Sequence, residues 1–316
     1  MKLTAAFLRL VRWPNLLFIV LTQCLFYYCI MRPLFAQHAA APALTQTLFF
    51  FLCFASVLIA AAGYIINDYF DLNIDLVNKP DKLVIERLIK RRWAILWHLF
   101  LSSVAVLISV WVAIRLLDYH AFVAAFVNLL CIGTLWVYST TYKRKLLIGN
   151  ILISLLTAWT ILVLYVINLK SWILQKSNYA TACTKLFKFA VLYAGFAFII
   201  SLIREVVKDM EDMEGDEKYG CRTMPIVWGV PASKVFAAVW IIVLVAALCI
   251  VQYYFLQFGW WLSAIYCFLL IIVPMLWILK KLYEAQVPAD HHRISNALKF
   301  VMFTGILSML FFKLYW

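Results

Sequence analysis

The chain has 316 residues, 66% of them from the set AVILMFWYC and only 14% charged, against about 45–50% apolar and about 25% charged in a soluble domain. Together with a mean hydropathy of +0.93, this excludes a water-soluble globular protein, and it excludes disorder because so much apolar surface does not stay solvated. The formal charge of +13 raises nucleic acid as a partner, but the positions of the bases account for that charge in another way.

A hydrocarbon core ~30 Å thick needs ~20 apolar helical residues to span it, and nine such runs follow one another along the chain. Lys2, Arg9 and Arg12 precede the first, near 14–32. It lacks a small-residue cleavage site and is too long for a signal peptide, so it reads as a retained span entered through Trp13-Pro14. The second, near 45–65, leads into an acidic segment. The third and fourth, near 94–114 and 120–140, are separated by a turn around Arg115, Asp118 and His120, which predicts a helical hairpin. The fifth lies near 147–168, and the sixth, near 186–203, leads into a second acidic segment. The seventh and eighth, near 235–256 and 260–279, adjoin at Gln257–Gly259 in another hairpin, and the ninth lies near 296–315. No linker is Ser/Gly-rich, which predicts one membrane domain over 1–316.

Counting Lys and Arg between the spans gives 20 on the side of the N-terminus and 7 on the other, with Lys299 inside the last run. The positive-inside rule then predicts a cytoplasmic N-terminus and an outside C-terminus. Much of the positive charge is therefore topology signal and attraction to lipid headgroups, and nucleic acid is not expected as a partner. The eight cysteines form no C-x-x-C pair and no zinc spacing, and read as reduced packing residues. Trp and Tyr at span ends read as interfacial belts, and His291-His292 as a solvated loop pair. Asn15 and Asn150 read as helix–helix polar contacts, with Asn150 also able to face a cavity.

The acids are the uneven part of the sequence. Asp68, Asp71, Asp75 and Asp81 follow the second run, and Glu205, Asp209, Glu211, Asp212, Glu214, Asp216 and Glu217 follow the sixth, so eleven of the fifteen acids occupy two segments. Both segments contain D-x-x-D-x-x-x-D. On a continuous helix those steps place all three carboxylates on one face. The two copies lie four spans apart, each after a span running in the same direction, which suggests a parallel internal repeat whose acidic faces lie on the same membrane side. A solvated acidic helix end is the bland alternative. It is weakened because carboxylates at a helix C-terminus oppose the dipole and repel one another, and because this costly arrangement occurs twice. Oxygen-only donors point to Mg2+, which keeps waters and bridges carboxylates to substrate phosphates.

An EF-hand starting at Asp71 fails at Leu76, where Gly is needed, and at Lys82, where Glu is needed. No P-loop is present. Bases follow the acids closely: Lys79 and Lys82 after the first motif, Lys218 and Arg222 after the second, with Lys143 and Arg144 between the fourth and fifth runs and Arg12 before the first. Two acid-bound Mg2+ ions and these bases make a receptor for a diphosphate, and in a chain this apolar its carrier is expected to have a lipid tail.

The motif Asn67-Asp68-x-x-Asp71-x-x-x-Asp75 with Asn78-Lys79-Pro80, and the stretch Arg204-Glu-Val-Val-Lys-Asp209-Met-Glu-Asp212-Met-Glu-Gly-Asp216 with Thr223-Met-Pro225, resemble the UbiA superfamily of intramembrane prenyltransferases. The resemblance covers essentially the whole chain and leans toward the digeranylgeranylglyceryl phosphate synthase branch; Tyr138-Ser139, Lys143-Arg144 and Ile148-Gly149-Asn150 resemble the family's span 4–5 region. It implies an all-α, nine-span bundle in the cell (inner) membrane, with its site open to the cytoplasm. It implies transfer of a polyprenyl group from its diphosphate to an acceptor, with Asp68, Asp71 and Asp75 on one Mg2+, Asn67 in support, and Asp209, Asp212 and Asp216 on a second. Lys79, Lys82, Lys143, Arg222, Arg12 and Asn150 are the expected substrate contacts. The leading acceptor is geranylgeranylglyceryl phosphate or a similar polyol phosphate; an aromatic acceptor of quinone or tetrapyrrole biosynthesis is the alternative. A cation or lipid-phosphate transporter is the rival of another class, but transporters hold such charges near the bilayer midplane rather than at span ends.

Overall fold

The computed structural model of the chain describes residues 2–78, 84–170 and 177–315. Among them, nine helices are long and apolar enough to cross a membrane: Trp13–Gln37, Gln46–Phe70, Arg91–Leu116, Tyr119–Thr140, Ile148–Val166, Asn178–Glu211, Gly229–Leu256, Trp261–Glu284 and Pro288–Tyr315, here spans 1 to 9. Each of the nine apolar runs lies on one of these helices. Several helices outlast their apolar run, most of all span 6, which continues through Glu205 to Glu211.

Local chemistry explains the ends. The turn between spans 3 and 4 is two residues long: Leu117 takes the left-handed conformation (φ 48), and the Asp118 carboxylate caps span 4 by accepting the His120 N–H at 3.0 Å. Between spans 7 and 8, Gly259 supplies a φ of 76 at no Cβ cost. Spans 1 and 8 each contain a wide π turn, Phe26–Met31 and Phe268–Ile272, where Arg32 N–H bonds Tyr27 O and Val273 N–H bonds Phe268 O. The next residue is Pro33 or Pro274, and the helix widens there because a proline ring clashes with the preceding turn and has no N–H to give.

His291 and His292 correct the sequence reading. Pro288 opens span 9, and the Asp290 carboxylate accepts the Gln286 N–H at 3.1 Å, so the helix starts well before the apolar run. The two histidines therefore lie in its first turns rather than in a solvated loop. His291 is buried, and His292 Nδ1 lies 2.8 Å from Glu211 Oε1.

The chain packs as two compact units, Met1–Lys143 with Trp159–Val191, and Arg144–Ala158 with Leu192–Trp316. In the first, span 2 approaches span 4 at Gly63, where a Cβ would come within 2.8 Å of Leu135 Cδ1. Gln23 Nε2 donates to Ser56 Oγ (3.1 Å) and Thr160 O (2.8 Å), and Trp159 Nε1 donates to Asn128 Oδ1 (2.9 Å). Lipid supplies no hydrophobic drive between helices, so close packing and such bonds hold them together. The second unit has an apolar core in which Ile203, Val207 and Met210 of span 6 meet Ile241, Met275 and Leu298 of spans 7 to 9. Leu107, Phe126, Ile250 and Leu269 are more than half exposed, as lipid-facing residues are expected to be. Trp13, Trp93, Tyr119, Tyr253, Trp261 and Tyr283 are exposed at or near span ends, where interfacial rings belong.

Candidate active site

The two aspartate motifs have the same backbone. Span 2 carries Asn67 and Asp68 in its last turn and ends at Phe70; Asp71 sits at a break (φ −87, ψ −2), and a short helix, Leu72–Asn78, carries Asp75. Span 6 carries Asp209 and ends at Glu211; Asp212 sits at a break (φ −96, ψ 8), and a short helix, Met213–Lys218, carries Asp216. The bonds across the breaks match too. Asp71 N–H reaches Asn67 O at 3.0 Å and Asp75 N–H reaches Asp71 O at 2.8 Å, while Asp212 N–H reaches Lys208 O at 2.9 Å and Asp216 N–H reaches Asp212 O at 3.2 Å. The expected single helical face is thus corrected: in both copies the helix bends at the middle aspartate. The bend relieves the like-charge repulsion that an unbroken helix would impose at these spacings, with a residue near the bridge region at its vertex.

In the first unit, bases hold the carboxylates. Arg12, left-handed at φ 51 just before span 1, donates from Nη2 to Asp68 Oδ1 at 2.6 Å and lies 5.2 Å from the Tyr64 ring centroid, a cation–π distance. Asp71, nearly fully buried, accepts from Asn67 Nδ2 at 2.7 Å and from Lys143 Nζ. Asp68 holds the Arg12 guanidinium well above its ordinary range, against the opposing effect of burial. Burial alone would lower the Lys143 ammonium; Asp71 beside it, with Tyr138 and Asp75, outweighs burial and raises it. Burial first, then the Asp71 and Asp68 charges, pushes the Asp75 carboxyl up to about 6, with Lys143 and Arg12 opposing.

In the second unit, Asn150 Nδ2 donates to Asp209 Oδ2 at 2.8 Å, and Asp216 is buried. Arg222 N–H bonds Arg144 O at 2.8 Å, and Cys221 N–H bonds Asp216 O at 2.9 Å. These tie the segment after the second motif to the loop before span 5, while the Arg222 side chain stays exposed. Lys79 and Lys82 lie outside the described residues.

Arg12 and Lys143, expected as substrate contacts, are each paired with a carboxylate of the first motif. The sequence reading gave no site role to Tyr64, four residues before Asp68 and so on the same helical face, or to the charged run Arg204, Glu205 and Lys208, which the longer span 6 carries inside the membrane-spanning helix.

Among the described residues, no three His, Cys, Asp or Glu side chains form a ready metal cage. Mg2+ needs none, because it keeps several waters and takes one or two carboxylates plus substrate phosphates. The donors present fit that ion: Asp71 and Asp75 offer carboxylate oxygens, and Asn67 Oδ1 beside them is buried without a hydrogen-bond partner among the described residues.

Residues 16–312 match the model of the UbiA prenyltransferase family. The chain is 27% identical over 271 residues to the digeranylgeranylglyceryl phosphate synthase of Thermococcus sibiricus, covering 85% of each chain. It is 33% identical over 226 residues to the protein of that name from Natronomonas pharaonis, covering 72% of this chain and 71% of that one. A solved structure described as giving insights into digeranylgeranylglyceryl phosphate synthase in membranes is 23% identical with a TM-score of 0.61, covering 98% of this chain and 99% of that one. The structure of a UbiA homologue from Archaeoglobus fulgidus bound to DMAPP and Mg2+ is 13% identical with a TM-score of 0.57, covering 96% and 98%. At these identities the two structures show a shared fold.

Proposed function

Because this chain belongs to the UbiA prenyltransferase family, we propose that it transfers a geranylgeranyl group from its diphosphate to a hydroxyl of geranylgeranylglyceryl phosphate or a similar polyol phosphate. The carrying observation is the pair of aspartate motifs broken at the same residue, Asp71 and Asp212, with Arg12 and Lys143 on the first and Asn150 on the second. The names of the relatives support the choice of acceptor, and the match over 16–312 supports one catalytic domain. The loop charges support a cell-membrane enzyme with its N-terminus and site on the cytoplasmic side.

In this reading Asp68, Asp71 and Asp75 hold one Mg2+, with Asn67 in support, and Asp209, Asp212 and Asp216 hold a second. Bound there, Mg2+ supplies Lewis-acid neutralisation of charge developing on the diphosphate. Arg12, Lys143, Lys79, Lys82 and Arg222 contact diphosphate oxygens and stabilise the same charge. Asn67 and Asn150 orient Asp71 and Asp209. The bond between the allylic C1 and the diphosphate oxygen breaks, an ether bond forms between C1 and the acceptor hydroxyl oxygen, and the hydroxyl proton leaves with the diphosphate. Apolar and aromatic span surfaces keep water from the allylic cation.

The test is purified protein with Mg2+, radiolabelled geranylgeranyl diphosphate and a panel of polyol-phosphate and aromatic acceptors. Acceptor-dependent ether lipid that disappears in Asp68→Ala and Asp212→Ala is the expected result. Product on an aromatic acceptor alone overturns the choice of acceptor, and vesicle flux without product overturns the reaction.

A further inference from the structure

Span 6 has two faces over its last turns. At 100° per residue, Ser201, Arg204, Glu205, Lys208, Asp209 and the adjoining Asp212 fall within an arc of about 140°. Ile203, Val206, Val207 and Met210 on the other side are buried in the apolar core of the second unit. A polar arc this wide on a membrane-spanning helix is costly against lipid and marks a cavity or a partner group. One wall is visible: Thr157 Oγ1 lies 3.3 Å from Ser201 Oγ, and Asn150 donates to Asp209, so span 5 lines the same arc.

The acids at the end of this arc belong to the proposed metal–diphosphate site, but Arg204 does not. Its Nη1 donates to Glu205 Oε1 at 2.8 Å, and Lys208 Nζ lies 3.8 Å from Glu205 Oε2. One carboxylate thus stands between two cations, and the trio carries an excess positive charge. The Arg204 side chain is only 17% exposed, and its Nε is buried without a hydrogen-bond partner among the described residues. A charged donor left unbonded in such surroundings is expensive, and a guanidinium presents its donors as a fork that fits a phosphate. Five residues of helix put Arg204 about 7.5 Å along the axis from Asp209, a spacing that a three-carbon polyol phosphate covers.

We propose that Arg204, with Lys208 beside it, anchors the phosphate of the acceptor, so that this arc of span 6 selects a phosphorylated polyol over a neutral or aromatic acceptor. The inference rests on the prenyl-transfer reading above and deepens it. It predicts a specificity residue, not a group that takes part in bond making: Arg204 binds the non-reacting end of the acceptor, and the hydroxyl at the other end meets the allylic carbon near Asp209 and Asp212.

The experiment is a cycle in which both residue and ligand are changed. Full-length protein in detergent or nanodiscs, with Mg2+ and saturating geranylgeranyl diphosphate, is given geranylgeranylglyceryl phosphate or the phosphate-free geranylgeranylglycerol, and the ratio of their kcat/KM values is read. Wild type is expected to prefer the phosphorylated acceptor by about 100-fold or more. Arg204→Gln is expected to collapse that ratio at least tenfold, Arg204→Lys to restore part of it, and Lys208→Gln to reduce it by a smaller factor. A purely structural role would lower both acceptors by the same factor and leave the ratio intact, which overturns the proposal, as does a wild type indifferent to the phosphate. If Arg204→Gln does not fold, Lys208→Gln and inhibition by soluble glycerol phosphate decide: inhibition competitive with the acceptor and weakened in Lys208→Gln supports the anchor, and its absence overturns it. Wild type that makes no prenylated product from any acceptor refutes the underlying reaction instead.

Discussion

Replacing Lys143 by methionine keeps most of the side chain's bulk and removes the charge held against Asp71. Asp71 is 5% exposed at its side chain and Lys143 26%, so the pair is enclosed on the acid's side and partly open on the base's. Removing one partner of a buried pair costs about 3–5 kcal/mol; the exposure of Lys143 puts this case at the lower end, about 3 kcal/mol. At roughly 2 °C per kcal/mol for a chain of this size, the thermal midpoint in detergent with a chelator present should fall by about 6 °C. Most of that loss is the cost of leaving the Asp71 carboxylate buried with, among the described residues, Asn67 Nδ2 as its neutral donor. Asp71→Asn added to Lys143→Met removes that charge, so the double variant should regain about two-thirds of the loss while remaining inactive. A double variant no more stable than Lys143→Met, or a single variant within 1 °C of wild type, would mean that the ion pair is not what holds Asp71.

Asn150→Ala takes the amide from Asp209, the one side-chain bond to that carboxylate described above. It should cost about 1–3 kcal/mol and lower the rate of product formation, with Asn150→Asp worse on both counts because it sets two carboxylates together. At Gly63 the nearest atoms to an added Cβ are the flexible end of Leu135. Gly63→Ala should therefore stay within about 1 kcal/mol of wild type, its steric cost offset by better helix propensity, whereas Gly63→Phe overpacks the span 2–span 4 contact by at least about 2 kcal/mol; thermal scans of the two variants check this. Chelation by EDTA should abolish prenyl transfer, with Mg2+ restoring it, yet leave the thermal midpoint within about 2 °C. Arg12, Lys143 and Asn150 already hold Asp68, Asp71 and Asp209, so a protein that melts on chelation contradicts that account.

The spans were legible because a bilayer core demands a fixed length of apolar residues with every backbone polar group bonded within the helix, and all nine runs lie on helices long and apolar enough to span it. Their ends were less legible, because capping and tertiary support, not hydropathy, decide where a helix stops. Span 6 therefore runs on through Glu205 to Glu211, and span 9 begins at Pro288 with His291 buried in its early turns. The aspartates stood out because acids are scarce in this chain and appear in two matching strings.

Sequence alone therefore determined the membrane class, the number of spans and the two acidic segments, all properties of residue type and local spacing. Tertiary structure decided what spacing does not carry. The helix bends at Asp71 and Asp212 rather than running straight. Arg12 reaches Asp68 from 56 residues away and Lys143 reaches Asp71 from 72. Arg204 keeps a buried donor unbonded among the described residues. A buried charge takes its partner from whatever the packing of distant helices brings beside it, so pairing and burial are properties of the folded chain.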